Sequence, residues 1–93
     1  MGIDMKIKDP KTAELLTSYL DRLKTYPRFD AGQLVRIYAD SWGDFCAVES
    51  VPFNWCFTSN RHKIADIVQS GIPPIEVPFN EMDIWVRRSG LPF

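Results

Sequence analysis

The sequence predicts an α+β fold: a mainly antiparallel sheet of about four strands with two helices packed on one face, in the order α-β-β-β-α-β. Three observations predict it. An amphipathic helical stretch opens the chain. Two alternating segments flank a turn-forming centre. Seven prolines cut the remainder into short elements joined by rigid connections. With 93 residues, the chain amounts to one domain, residues 1–93. Hydrophobic residues make up 45% and charged residues 25%, the balance of a globular protein and not of a disordered tail.

"DPKTAELLTSYLDRLKTYP" is the first helix. Asp9 suits the N-cap and Pro10 the first helical position. Leu16, Tyr19, Leu20, Leu23 and Tyr26 recur at three- and four-residue steps, with Ala13 and Leu15 widening the stripe, while Glu14, Ser18, Asp21 and Arg22 fall opposite. Pro27 disfavours helical geometry at Tyr26 and ends the run. "LVRIYADSWGDFCAVESV" follows as a hairpin, because "DSWGD" supplies Asp, Ser and Gly for a tight reversal. Simple alternation puts Phe45, Ala47 and Glu49 on one face and Cys46, Val48 and Ser50 on the other.

"FNWCFT" reads as a third strand, of the edge type after Pro52, with Phe53, Trp55 and Phe57 on one face. "TSNRHKIADIVQSGI" is a second helix. Ile64, Ile67 and Val68 form its apolar stripe, and Gly71 is placed for the left-handed residue beyond its last turn. "IPPIEVPFNEM" is extended and proline-punctuated, running along the surface. "DIWVRR" is the last strand, with Ile84 and Val86 on one face.

Composition excludes several function classes. Net charge is −1, whereas nucleic-acid binders usually carry a cationic excess. No apolar run is long enough to span a membrane, and "MGIDMKIKDP" has neither a signal-peptide core nor, with Lys6 at its sixth position, a myristoylation pattern. Two cysteines are too few for a disulfide scaffold, so Cys46 and Cys56 read as reduced thiols of a cytoplasmic protein, with a single bridge between neighbouring strands left open. Nucleotide-binding and serine-hydrolase loops are missing. One histidine and two cysteines ten apart give no zinc spacing, so neither metal nor cofactor is expected.

"FNWCFTSNRH" holds the one thiol–imidazole combination. Cys56 lies just before a helix and His62 is followed at i+4 by Asp66, an arrangement that would suit a thiol enzyme. Against it, a cysteine within an aromatic strand is ordinarily a small core residue, and His62 at a helix start is ordinarily solvated. The expectation is no enzyme.

The aromatic residues point elsewhere. Between Ile37 and Asn60 there is no Lys or Arg, while the stretch holds Asp40, Asp44 and Glu49 among Tyr38, Trp42, Phe45, Phe53, Trp55 and Phe57. These rings read first as core; any left exposed among acids would repel phosphate and suit a protein interface. A hairpin tip is seldom deep in a core, so Trp42 between Asp40 and Asp44 is the candidate anchor, with Glu49 nearby. The expected function is a small intracellular adaptor or inhibitor docking on a partner protein with a basic surface. It could occlude a nucleic-acid-binding groove, as small phage or mobile-element proteins do. One alternative is a nucleic-acid-binding regulator using Arg61, Lys63, Arg87 and Arg88 on one face. Another is the thiol enzyme with Cys56 and His62. Homodimerisation through an edge strand at 53–58 or 83–88 is a further expectation.

Overall fold

The computed structural model describes residues 3–59 and 61–89, of which residues 61–63 by backbone alone. Helix α1 (Pro10–Leu23) starts where local chemistry sets it: the Asp9 carboxylate accepts from the Lys11 amide at 3.2 Å and from the Thr12 hydroxyl at 2.9 Å. Hydrogen bonding holds the Asp9 carboxyl below its ordinary pKa, the Thr12 hydroxyl first and the Lys11 amide next. Ala13, Leu16, Leu20 and Leu23 are buried, while Leu15 and Tyr26 are exposed, so the buried stripe is narrower than the apolar pattern.

Strands β1 (Leu34–Ala39), β2 (Phe45–Ser50), β3 (Cys56–Thr58) and β4 (Ile75–Pro78) form one antiparallel sheet in the order β3-β2-β1-β4. The β1–β2 register slips between Tyr38 and Ala39: Tyr38 faces Ala47, Ala39 faces Phe45, and Cys46 is the extra residue. That bulge turns Phe45 onto the same face as Val48, where simple alternation would separate them. Val35, Ile37, Phe45, Val48 and Val77 are then buried together beneath the helices.

Two helices share that face, α1 and α3 (Phe79–Ser89). α3 occupies residues 83–88, where alternation suggested a strand, and the fourth strand is instead β4, in the proline-punctuated stretch. Phe79, Met82 and Val86, spaced three and four apart, are all fully buried, which is a helical period. Glu81 in the first turn and Arg87 and Arg88 in the last match the helix dipole. β4 tolerates Pro78 because it is an edge strand.

α2 (Arg61–Ser70) packs on β1 and β2. Its buried Ile67 lies outside the α1–α3 cluster, as does Ala47, which alternates away from Val48; α2 therefore covers the opposite face, at the hairpin end. Val68, expected in its stripe, is exposed. Gly71 closes the helix at φ 75°, as its position predicts.

The segment before α1 buries Met5 and Ile7 and bridges to the hairpin, Lys6 pairing in parallel with Asp44. The radius of gyration, 12.5 Å, matches the roughly 12 Å of a compact chain of this length. Among the described residues no helix is long and apolar enough to cross a membrane.

Candidate functional site

The β1–β2 connection is tightly bonded for so exposed a loop. The Asp40 amide donates to the Asp44 carbonyl at 3.0 Å, and the Gly43 amide donates to the Asp40 carbonyl at 3.0 Å. Asp40 Oδ1 accepts from the Trp42 amide at 2.9 Å and from the Asp44 amide at 3.0 Å. Gly43 sits at φ 77°, a conformation that costs other residues roughly 1–2 kcal/mol. A side chain there would meet nothing within 4 Å, so backbone conformation alone selects glycine.

The N-terminal segment ties the loop from outside. Lys6 donates to the Gly43 carbonyl at 2.9 Å and accepts from the Phe45 amide at 2.8 Å, and the Lys8 amide donates to Asp44 Oδ1 at 3.1 Å. Trp42 stands at the summit with 81% of its surface exposed.

Asp40, Trp42 and Asp44 thus come together, but the two carboxylates are half-buried and hold backbone amides in place of rimming the ring. Glu49 is not with them. It projects from near the far end of β2, on the face opposite the α1–α3 core, where the Tyr38 hydroxyl donates to it at 2.8 Å and Arg36 Nη1 lies 3.8 Å away. Arg36 is bonded to Glu76 at 2.7 Å, chiefly through which its pKa rises. Tyr38 is also pushed above the ordinary tyrosine value, by burial first and the bond to Glu49 second.

The cation-free stretch of sequence is not a cation-free surface. Lys8 Nζ lies 3.5 Å from the Trp42 carbonyl oxygen, and Lys6 and Lys8 line one hollow beside the ring with Met5 and Gly43. A second hollow on its other side is lined by Ser41, Asp66, Ile67, Ser70 and Ile72 together with Asp40. Only the long-range pairing of Lys6 with Asp44 reveals the lysines, and no local signal announces it.

The aromatic run divides. Trp55 and Phe57 pack inward: Tyr19 stands edge-on to Trp55 at 5.9 Å, Phe57 lies 5.5 Å from Tyr19, and Trp55 Nε1 donates to Gln33 at 3.3 Å. Phe53 does not share their face. It sits in a turn before β3 at φ 61°, with 73% of its surface exposed.

Cys46 is buried and Cys56 exposed, and no disulfide joins them. Cys56 is opposite Glu49 in the register. Arg61, His62 and Lys63 open α2, but their side chains lie outside the described residues. Arg87 is engaged by Asp21 and by Asp83 at 3.3 Å, and α3 and α2 lie on opposite faces of the sheet, so Arg87 and Arg88 do not join the start of α2 in one basic stripe. Residues 83–88 offer no edge strand; the free edges are the three-residue β3 and the four-residue β4. Among the described residues no group of three or more His, Cys, Asp or Glu is placed to hold a metal ion.

Compared with protein-family models, curated proteins and solved structures, the chain matches none of them.

Proposed function

We propose that the protein acts by binding another protein, with Trp42 as the side chain that the partner buries. One observation carries this: a tryptophan 81% exposed on a loop whose backbone is bonded to two carboxylates and to a neighbouring segment. Burying a large apolar side chain of this kind is worth roughly 2–3 kcal/mol, and a ring on a fixed loop loses little conformational freedom when it docks. With 81% of its surface exposed, the same ring contributes little to folding. Adaptor or inhibitor action fits a small chain with one prominent anchor.

The hollow lined by Asp66 and Ser70 favours a partner that brings a basic group to that side of the ring. On the other side Lys6 and Lys8 share the hollow with Asp4, so its lining is of mixed charge and sets no single sign for the partner. Occlusion of a cationic nucleic-acid-binding groove is the narrower form of the proposal, supported by the Asp66-lined hollow alone. A cytoplasmic setting is supported by two cysteines that form no disulfide, one of them exposed.

A tagged bait incubated with lysate from the source cells tests the proposal, read by mass spectrometry against Trp42→Ala. Asp66→Lys reports on charge. Asp44→Lys is unsuitable, because it removes the acceptor of the Lys8 amide. Wild type should enrich a protein that Trp42→Ala does not, at identical circular dichroism. Equal capture by both baits overturns the assignment of the anchor.

A further inference from the structure

The two hollows beside Trp42 differ in what they offer. The one toward the N-terminal segment is of mixed charge. The one toward α2 holds about 260 Å³, with Asp66, Ile67, Ser70 and Ile72 facing Trp42 across it and no cation among its described lining residues. Pockets that hold a whole small molecule are usually about 300–1,000 Å³, so this hollow is sized for a single side chain. Both walls are set before anything binds. Asp40 Oδ1 holds the amides of Trp42 and Asp44, and α2 is seated on β1 and β2 with Ile67 buried beneath it.

The α2 wall offers acceptors over apolar ground. Asp66 and Ser70 are four residues apart, so they are neighbours on one side of the helix. The Ser70 hydroxyl donates its hydrogen to the Ile67 carbonyl at 2.8 Å, which leaves its lone pairs to accept. As a carboxylate, Asp66 accepts and does not donate. Ser41, on the loop, carries a hydroxyl that can turn either way. Ile67 and Ile72 supply an apolar floor, and an indole face attracts cations. The complement is a side chain with an apolar stem and a flat cation carrying several donors.

We propose that this hollow receives one arginine of the partner, its guanidinium stacked on Trp42 and bonded to Asp66 and Ser70. The proposal rests on Trp42 as the anchor and names what docks beside it. Stacked flat, a guanidinium keeps its in-plane donors for two acceptors on one helix side, and its stem lies along Ile72. A lysine ammonium is a strongly hydrated point charge with no face to lay on the ring. A phosphate-bearing ligand would be repelled by Asp66. On the other side of the loop Lys8 Nζ already lies 3.5 Å from the Trp42 carbonyl oxygen, and a second cation there would meet it.

Titrations of the isotope-labelled protein followed by NMR test this, using the capped peptides Gly-Arg-Gly, Gly-Lys-Gly and Gly-citrulline-Gly, and free arginine. At low salt the arginine peptide should shift the Trp42 indole and the Asp66 and Ser70 amides. The lysine peptide should bind about threefold more weakly, and the uncharged citrulline peptide about tenfold. Asp66→Asn and Trp42→Ala, both at exposed positions, should each weaken the arginine peptide about fivefold at unchanged circular dichroism. The proposal is overturned if the arginine peptide shifts none of these resonances at millimolar concentration, if the lysine or citrulline peptide binds as tightly, or if Asp66→Asn leaves binding unchanged. Tighter binding of free arginine than of the capped peptide would also overturn it, by making the hollow an amino-acid site. Lysate capture that Trp42→Ala leaves intact would overturn the anchor itself, a separate result from the peptide titration.

Discussion

At one end of β2 the chain reverses through Asp40–Asp44 and gives the left-handed conformation to Gly43; at the other it turns at Ser50–Asn54 and gives it to Phe53. Both turns are fixed by a short polar side chain that gathers backbone amides. Asp40 Oδ1 takes those of Trp42 and Asp44, and Ser50 Oγ takes that of Asn54 at 2.9 Å. Both lift an aromatic ring into water. They differ in where strain resides. In the first loop glycine relieves it and the ring is on the neighbouring residue. In the second the ring-bearing residue is itself strained, at roughly 1 kcal/mol or more, with no burial to offset it. The difference teaches that a relaxed loop with an exposed tryptophan has the economy of a dedicated presenting device, whereas Phe53 holds a conformation that folding alone would assign to glycine.

Substitutions on the two sides sharpen the contrast. The largest effect belongs to Ser50→Ala: Ser50 is fully buried, and its hydroxyl also donates to Asn54, so its loss should lower stability by about 2 kcal/mol in denaturant unfolding. Gly43→Ala should cost about 1 kcal/mol, and because the space beside Gly43 is open, the loss reports conformation and not a clash. Phe53→Gly should act in the opposite direction, raising stability by about 0.5–1 kcal/mol as strain is relieved. A fall instead would show that the Phe53 ring packs on something, and the comparison would break. Trp42→Ala should change stability by less than about 0.5 kcal/mol.

Features set by neighbouring residues were legible in the sequence. Asp9 and Pro10 announce α1, "DSWGD" announces the hairpin, and Gly71 announces the end of α2. The misassigned stretch was 75–89. "IWV" satisfies both strand and helix periods, and the residues that decide it, Phe79 and Met82, lie upstream of that short run. Three prolines around Ile75 obscured β4, which survives them only at an edge. The Cys46 bulge and the flip of Phe53 depend on registers that no local period encodes. Of the candidate site, the exposure of Trp42 and its two flanking acids were legible. The displacement of Glu49 to Arg36 and Tyr38 was not, nor the approach of Lys6 and Lys8, since both arise from pairing between distant segments.

The claim that these rings serve recognition and not folding is tested most directly by equilibrium unfolding of Trp42→Ala/Phe53→Gly beside wild type. The two positions flank opposite ends of β2, so their effects should add. The double variant should unfold at the same denaturant concentration as wild type or a higher one. A loss of more than about 1 kcal/mol would contradict the account, because it would make the rings part of the core.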